Sequence, residues 1–269
     1  MEAHNGLSAK IVESVGFKGI WASGFSIAAS CGVRDCNELS WTQTLDIVEF
    51  MVDAVNIPML MDADTGFGNY NNVRRLVKQA EKIGISGICI EDKLFPKRNS
   101  FDKDAKQVLS SIPEFTGKIK AGKDTQLNES FCIVARTEGY IAGLHTEEVL
   151  ERATVYAEAG ADAIVVHSVK QTPNEIIEFM HCWNNKIPVI IIPTSYYKTP
   201  IHEFEKLGVA MVIWANYNLR ASYKHMYNTT SRLFQNKNVE EIINDIASMQ
   251  CIFDSTNVKE LKEADRRYS

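Results

Sequence analysis

Short apolar runs recur through the first 214 residues, each followed by a charged, amphipathic stretch of helical length, and this rhythm constrains the fold more than any other feature. The runs are 19–23, 58–62, 87–91, 131–136, 163–167, 188–192 and 209–214. Runs that are apolar throughout, rather than alternating, belong to strands buried on both faces, the habit of parallel sheets. Between them, Ser40 to Val55 opens with Ser and Trp ahead of an apolar stripe, and Tyr70 to Ile83 carries Val73, Leu76, Val77, Ala80 and Ile83 at helical spacing. Thr146 to Ala159 reads as a third helix: the third residue after the Thr is apolar rather than Glu, but Glu147 and Glu148 suit the positive end of the helix dipole. Gly84 and Gly160 close two of these helices before the next strand.

Repeated βα wiring without a GxGxxG or Walker loop favours a closed α/β barrel of the (α/β)8 TIM type over an open doubly wound sheet. Eight strands require one more before Gly19. Met1 to Gly6 offers only the tail of a strand, followed by a helix from about Ser8 to Val15, so the N-terminus reads as clipped or the first strand as very short. Beyond Trp214 the pattern gives way to a helix over Asn216 to Gln235, with Tyr217, Tyr223, Tyr227 and Phe234, and a second helix around Val239 to Met249. Lys259 to Ser269 is charged enough to fray. With no linker in sight, residues 1–269 read as a single barrel domain with a C-terminal helical extension.

The length of 269 residues matches an ordinary barrel, and 45% hydrophobic with 23% charged residues supplies a sizeable core. A net charge of −5 with no lysine or arginine block leaves no footprint for nucleic acid or an anionic membrane. No apolar run approaches the ~20 residues of a membrane span. Six cysteines without CxxC spacing read as reduced thiols, which points to a cytoplasmic or organelle-matrix protein.

The chemistry collects where the apolar runs end, the position from which barrel enzymes aim side chains at substrate. Gly87–Glu91 leads into Asp92-Lys93-Leu94-Phe95-Pro96-Lys97-Arg98-Asn99-Ser100, a loop of carboxylate, ammonium and amide groups suited to a small anion. Asp62 and Asp64 flank Ala63 ahead of Thr65-Gly66-Phe67-Gly68-Asn69; alternation sends both carboxylates one way and the glycines let the backbone turn close to a ligand. Asp62, Asp64 and Glu91 are hard oxygen donors, the set that suits Mg2+. Arg136 and His167 end the next two strands, one fit to grip a carboxylate or phosphoryl group, the other to donate a hydrogen bond or carry a proton. Amides around Ser23 and Gly24 can form a small anion nest walled by Trp21. His4, His145, His181, His202 and His225 have no comparable setting.

With these pieces placed, the chain resembles the phosphoenolpyruvate phosphomutase family of the isocitrate lyase and phosphoenolpyruvate mutase superfamily. Glu91-Asp92-Lys93-Leu94-Phe95-Pro96-Lys97-Arg98-Asn99-Ser100 carries the resemblance, supported by the motifs WASGFS (21–26), DADTGFGN (62–69) and ARTE (135–138). The resemblance implies an (α/β)8 barrel with the eighth helix exchanged between two subunits, commonly assembled as a homotetramer, a dimer of dimers. It implies Mg2+ bound through Asp62, with Asp64 and Glu91 reaching it largely through water. The substrate carboxylate meets the Ser23 and Gly24 amides, Trp21 packs on the pyruvyl unit, and a loop from about Asp92 to Ser110, free to move in its middle, closes over the site. Asn99, Arg136 and His167 surround a migrating phosphoryl group with Lys97 and Asp35 nearby, Asp35 serving as nucleophile or, by preference, ordering the loop. The implied reaction interconverts phosphoenolpyruvate and 3-phosphonopyruvate. The superfamily lyases carry a catalytic cysteine where Lys97-Arg98-Asn99-Ser100 stands here, and phosphonopyruvate hydrolases tend to place threonine at position 99.

Overall fold

The structure, a computed structural model, describes residues 1–269. They divide into two compact units, Met1–Tyr217 and Asn218–Ser269.

The first unit contains eight parallel strands paired in chain order: β1 (Glu2–Ala3), β2 (Ile20–Ala22), β3 (Met59–Asp62), β4 (Gly87–Glu91), β5 (Cys132–Thr137), β6 (Ala163–Val166), β7 (Val189–Ile191) and β8 (Met211–Val212). The Glu2 N–H donates to Trp214 O just beyond β8 at 2.9 Å, which links the first strand to the last and closes the cylinder. The expected first strand is therefore present and only two residues long. Between strands lie α1 (Gly6–Val15), α2 (Gly24–Ser30), α3 (Trp41–Asp53), α4 (Tyr70–Lys82), α5 (Ile112–Lys123), α6 (Thr146–Glu158), α7 (Asn174–Trp183) and α8 (Ile201–Lys206).

Capping residues explain where the helices begin. The expected start of α1 at Ser8 falls two residues late: Asn5 is the cap, accepting the Ser8 N–H at 2.8 Å while Ser8 Oγ accepts the Asn5 N–H at 3.1 Å. Ser40 caps α3 with Gln43 in the same reciprocal arrangement. At α6 the motif sits one residue earlier than expected. Glu148 Oε2 accepts the N–H of His145, not of Thr146, at 3.2 Å, so the glutamate missed three places after Thr146 is found three after His145.

Side chains alternate between two cores. Trp21, Leu60, Cys89, Val134, Ala163, Val165, Ile190, Ile192 and Ile213 fill the barrel axis, whereas Met59, Met61, Ile88, Ile90, Ile133, Ile164 and Val189 pack outward against the helices. Extending this period-two alternation carries Asp62, Glu91, Arg136 and His167 to the axis at the C-terminal end of the strands. Glu2, aligned with Trp21, and His4 belong to the same inward set. His4 is buried and its Nδ1 lies 2.6 Å from Glu2 Oε1, which corrects the expectation that it has no comparable setting. The two-residue strand that it follows left no apolar run to reveal it.

The second unit holds most of α9 (Tyr217–Asn236), a 3-10 turn at Ile243–Asp245, α10 (Met249–Ser255) and α11 (Val258–Tyr268). The helix expected over Val239 to Met249 does not form. Arg232 instead gathers that segment, reaching Asp245 Oδ2 at 2.5 Å and the Glu241 carbonyl, while Asn236 Nδ2 donates to Glu241 Oε2 at 2.5 Å. The tail from Lys259, expected to fray, is helical up to Tyr268. No helix is long and apolar enough to cross a membrane.

Gly87 tests the closeness of the barrel wall. A Cβ there would lie 2.6 Å from the Cys132 backbone oxygen, and a ladder partner cannot rotate away. Gly87→Ala is expected to destabilise the protein by ~1–3 kcal/mol, measured as a lower urea midpoint, through overpacking of a rigid site.

Candidate active site

Three carboxylates stand at the rim of β3 and β4. Asp62 Oδ2 accepts the Gly24 N–H and its Oδ1 the Asp64 N–H, each at 3.3 Å. Asp64, Gly66, Phe67 and Gly68 all have positive φ, which folds the chain back so that Asp64 O accepts the Glu91 N–H at 2.7 Å. Burial pushes the Asp64 carboxyl up to about 7, with the Lys97 ammonium opposing and Asp62 and Asp35 adding to the rise. Glu91 is also raised by burial, against the pull of Arg136 and Lys93.

The loop after β4 is folded over this rim. Its ends are zipped by Ser110 N–H to Asp92 O at 2.8 Å and Leu94 N–H to Val108 O at 3.0 Å. Asp92, fully buried, receives the Glu138 N–H at 2.8 Å, the Tyr156 hydroxyl at 2.7 Å and Arg152 Nη1 at 3.2 Å. The middle, expected to be free, is pinned in this conformation. Lys93 Nζ donates to Arg98 O at 2.9 Å and Ser100 Oγ at 2.7 Å. Asn99 Nδ2 donates to Asp35 Oδ2 at 2.6 Å, and Asn99 Oδ1 accepts the Phe101 N–H at 2.9 Å. Lys97, 4% exposed, sets its Nζ 2.9 Å from Asp35 Oδ1 and 2.5 Å from Asp64 Oδ1. Burial alone would lower the Lys97 pKa; Asp64 and Asp35 overcome this and hold it well above the usual value. Burial likewise acts to raise Asp35, but Lys97 and Asn99 win and keep it below the usual range.

The opposite wall centres on Glu138, a residue the strand-end reading passed over because it lies one position beyond β5. It was within sight as the last letter of the ARTE motif. Its carboxylate is fully buried and meets Arg136 Nε, Lys93 Nζ at 3.0 Å, His167 Nδ1 at 2.8 Å and the Ser100 hydroxyl at 2.6 Å. Burial disfavours its charge, yet Arg136, His167 and Lys93 keep it ionised, well below the ordinary carboxylate range. Arg136 Nη2 also approaches His167 Nδ1 at 2.9 Å and Glu91 Oε2 at 3.4 Å. The imidazole thus has Nδ1 fixed between a donor and an acceptor, and burial lowers its pKa despite Glu138. The ring of Phe101 meets it edge-on at 6.1 Å.

The structure therefore brings Asp35, Asp62, Asp64, Glu91, Lys97, Asn99, Arg136 and His167 to one end of the barrel, with Trp21 buried on the axis beneath. Ser23 departs from expectation. Its N–H donates to Ala3 O at 3.3 Å as β2 runs one residue further along β1, and its Oγ accepts the Ser26 N–H at 3.2 Å as the cap of α2, so its amide belongs to the sheet and not to an open anion nest. The Gly24 amide faces the site through Asp62.

Whether the rim suits a divalent cation can be tested on its atoms. No group of three or more acidic, histidine or cysteine side chains meets metal-site geometry in this conformation. Three features nevertheless fit one. Glu91 Oε1 is buried without a partner, and Asp64 Oδ1 touches Lys97 Nζ without receiving a well-angled hydrogen bond. A Cβ on Gly24 would stand 3.1 Å from Asp64 Oδ1 and 3.3 Å from Asp62 Oδ2, so only glycine leaves the space beside both aspartates clear. The donors are all oxygen, the preference of hard cations, and the Lys97 ammonium sits where positive charge is needed.

A parallel barrel that surrounds buried acids, a fixed arginine–histidine pair and a folded-down loop at the strand C-termini defines a barrel enzyme for a small anionic substrate. The sequence model of the family described as phosphoenolpyruvate phosphomutase matches residues 1–234. A phosphoenolpyruvate phosphomutase from Tetrahymena pyriformis is 53% identical over 268 residues, covering 100% of this chain and 89% of the relative. A phosphonopyruvate hydrolase from Variovorax is 38% identical over 269 residues, covering 100% of this chain and 93% of the relative. Among solved structures, a phosphoenolpyruvate phosphomutase from Streptomyces platensis superposes with a TM-score of 0.97 at 39% identity, covering 99% of this chain and 93% of that one. A phosphonopyruvate hydrolase in complex with oxalate and Mg2+ superposes at 0.94 with 38% identity, covering 100% of this chain and 93% of that one. The chain belongs to the phosphoenolpyruvate phosphomutase family, a family of isomerases.

Glu138→Gln is expected to cost ~3–5 kcal/mol in urea unfolding, because Lys93 and Arg136 then lie buried with their shared anion removed. An unchanged unfolding midpoint would remove Glu138 from the centre of the site.

Proposed function

We propose that the protein interconverts phosphoenolpyruvate and 3-phosphonopyruvate with Mg2+, moving the phosphoryl group between oxygen and carbon of one molecule. The observation that carries this reading is the pairing of a fixed grip, Arg136 and His167 set by Glu138, with a loop that lays Asn99 and Lys97 over the site where the superfamily lyases carry a cysteine acid.

Asp62 would hold the cation, with Asp64 and Glu91 beside it. When bound, the cation supplies positive charge to the oxygens of a pyruvate enolate. Everything else falls to the chain's own groups. Trp21 walls the pyruvyl unit, and the Gly24 amide lies next to Asp62 at the carboxylate end. Breaking the P–O or P–C bond leaves a metaphosphate-like group whose transfer depends on positioning and electrostatics. Arg136 brings charge to the phosphoryl oxygens in both directions and Asn99 donates to them, while His167 donates from Nε2 in the tautomer whose Nδ1 accepts from Arg136. Asn99 has one Nδ2 hydrogen on Asp35 and a second to offer, and its amide is no nucleophile. The zipped loop excludes water, which would otherwise capture the phosphoryl group before it recombines. Asp35, held ionised by Lys97 and tied to Asn99, orders the loop.

We further propose a homotetramer built as a dimer of dimers with α9 exchanged between subunits, and residues 1–269 as one barrel with its helical extension. Exposed Tyr223, Met226, Tyr227 and Phe234 on α9 and Ile243, Met249 and Phe253 beyond it support an assembly that covers them. Six free thiols support a reducing compartment, the cytoplasm or an organelle matrix.

Phosphorus NMR of phosphonopyruvate incubated with enzyme and Mg2+ is expected to reveal phosphoenolpyruvate, and a chelator to abolish the signal. Inorganic phosphate as the main product would make the protein a hydrolase, no turnover would leave a binding scaffold, and full activity without metal would unseat the cation. Asn99→Ala is expected to lower mutase turnover by at least ~10²-fold, the scale of one preorganised donor, with residual reaction shifted towards pyruvate and phosphate. Near-native turnover without that leak would remove the loop from the mechanism.

A further inference from the structure

Asn37 lies in the connection between α2 and α3, outside every strand end, and none of the chemistry above uses it. It nevertheless joins the acidic rim to the loop above it. Its Nδ2 donates to Asp64 Oδ2 at 2.8 Å, and its Oδ1 accepts the backbone N–H of Lys97 at 2.8 Å. The orientation of the amide is settled by its neighbours. A flipped amide would set its NH2 against the Lys97 N–H and its oxygen against a carboxylate, so donor meets donor and acceptor meets acceptor. Its φ of 61° is left-handed, a conformation that asparagine tolerates and most other residues do not.

We infer that Asn37 is a positioning residue, a latch whose single amide couples closure of the 92–110 loop to the orientation of Asp64. The inference rests on the loop closing over the site as described under the proposed function. Asp35 and Asn37, two residues apart, meet the loop in different ways. Asp35 binds the side chains of Lys97 and Asn99, so its grip depends on the identity of those residues. Asn37 binds backbone and therefore reads only whether the loop is down. The bond to Lys97 N–H polarises the amide and strengthens the one to Asp64, and the reverse holds equally. Coupling of this kind is reciprocal: a ligand that engages Asp64 favours the closed loop, and the closed loop holds Asp64 in the orientation the ligand needs. Lys97 reinforces this, since the residue that gives its amide to Asn37 also places its ammonium on Asp64.

The test is hydrogen–deuterium exchange of the peptide spanning 93–101 in the full-length protein, with and without Mg2+ and oxalate. In the natural sequence these ligands are expected to slow exchange of this segment at least ~10-fold. Asn37→Gly keeps the left-handed backbone and removes both hydrogen bonds. It is expected to lose most of that ligand-dependent protection and to lower kcat/KM at least ~10-fold, with weaker Mg2+ and oxalate binding as the reciprocal effect of the same lost coupling. Asn37→Asp keeps the acceptor for Lys97 N–H but turns a charge towards Asp64, so it too is expected to lose protection. Full protection in Asn37→Gly overturns the latch. Full protection in Asn37→Asp reduces Asn37 to a loop anchor with no tie to Asp64 and overturns the coupling. Absence of protection in the natural sequence removes loop closure itself, and the latch with it. Product identity by phosphorus NMR is read separately, so a hydrolase with normal protection would refute the mutase and leave the latch intact.

Discussion

A carboxylate buried beside two fixed cations is the interaction on which this site depends. Glu138 draws in Arg136, Lys93, His167 and the Ser100 hydroxyl, and through them it ties a barrel strand, the following strand and the loop into one body. A charge so deeply buried is tolerated only because each oxygen is satisfied and each neighbouring cation needs it. The result is an arginine–histidine pair that is oriented before any ligand arrives, which is the condition for electrostatic catalysis.

Facing it, Asp62, Asp64 and Glu91 form an acidic rim. In this conformation an ammonium from the loop supplies the compensating charge at Asp64. The two walls divide the labour, one fixed by an internal anion and one met by an ammonium from the loop. Lys97 takes part in both closure and charge balance, so lid and site respond to the same electrostatic change.

Most of the barrel was legible because parallel strands are apolar on both faces and their helices are amphipathic, two signals that survive in a single sequence. Legibility failed where that contrast was weak. The two-residue β1 was too short to make a run, and with it went the inward-facing Glu2 and His4. Ser8 misplaced the start of α1 because a cap is defined by backbone direction, which Asn5 takes instead, and at α6, which does begin at Thr146, the capping glutamate was missed because His145 is its partner. The helix around Val239 to Met249 was read from apolar residues alone, and the Arg232 contacts that break it join residues nine and thirteen apart. Strand-end acids, Arg136 and His167 were readable from alternation. Glu138 and Asn37 were not, since one lies past a strand end and the other in a loop, and each matters for what it joins rather than for where its own segment points.

The dipeptide that ends β4 divides two mechanical tasks between adjacent residues. Alternation turns Glu91 towards the axis and Asp92 outward, where Tyr156 and Arg152 of α6 clamp it together with the Glu138 N–H. The loop is thereby bolted at its root to the helical layer, through contacts that do not involve the acid beside it. The contacts that hold the middle of the loop down, from Lys97, Asn99 and Ser100 to Asp35, Asp64 and Glu138, are a few polar bonds. A barrel enzyme arranged in this way anchors the root of its loop independently of Glu91, while the residues at the tip, Lys97 above all, still set the charge at Asp64.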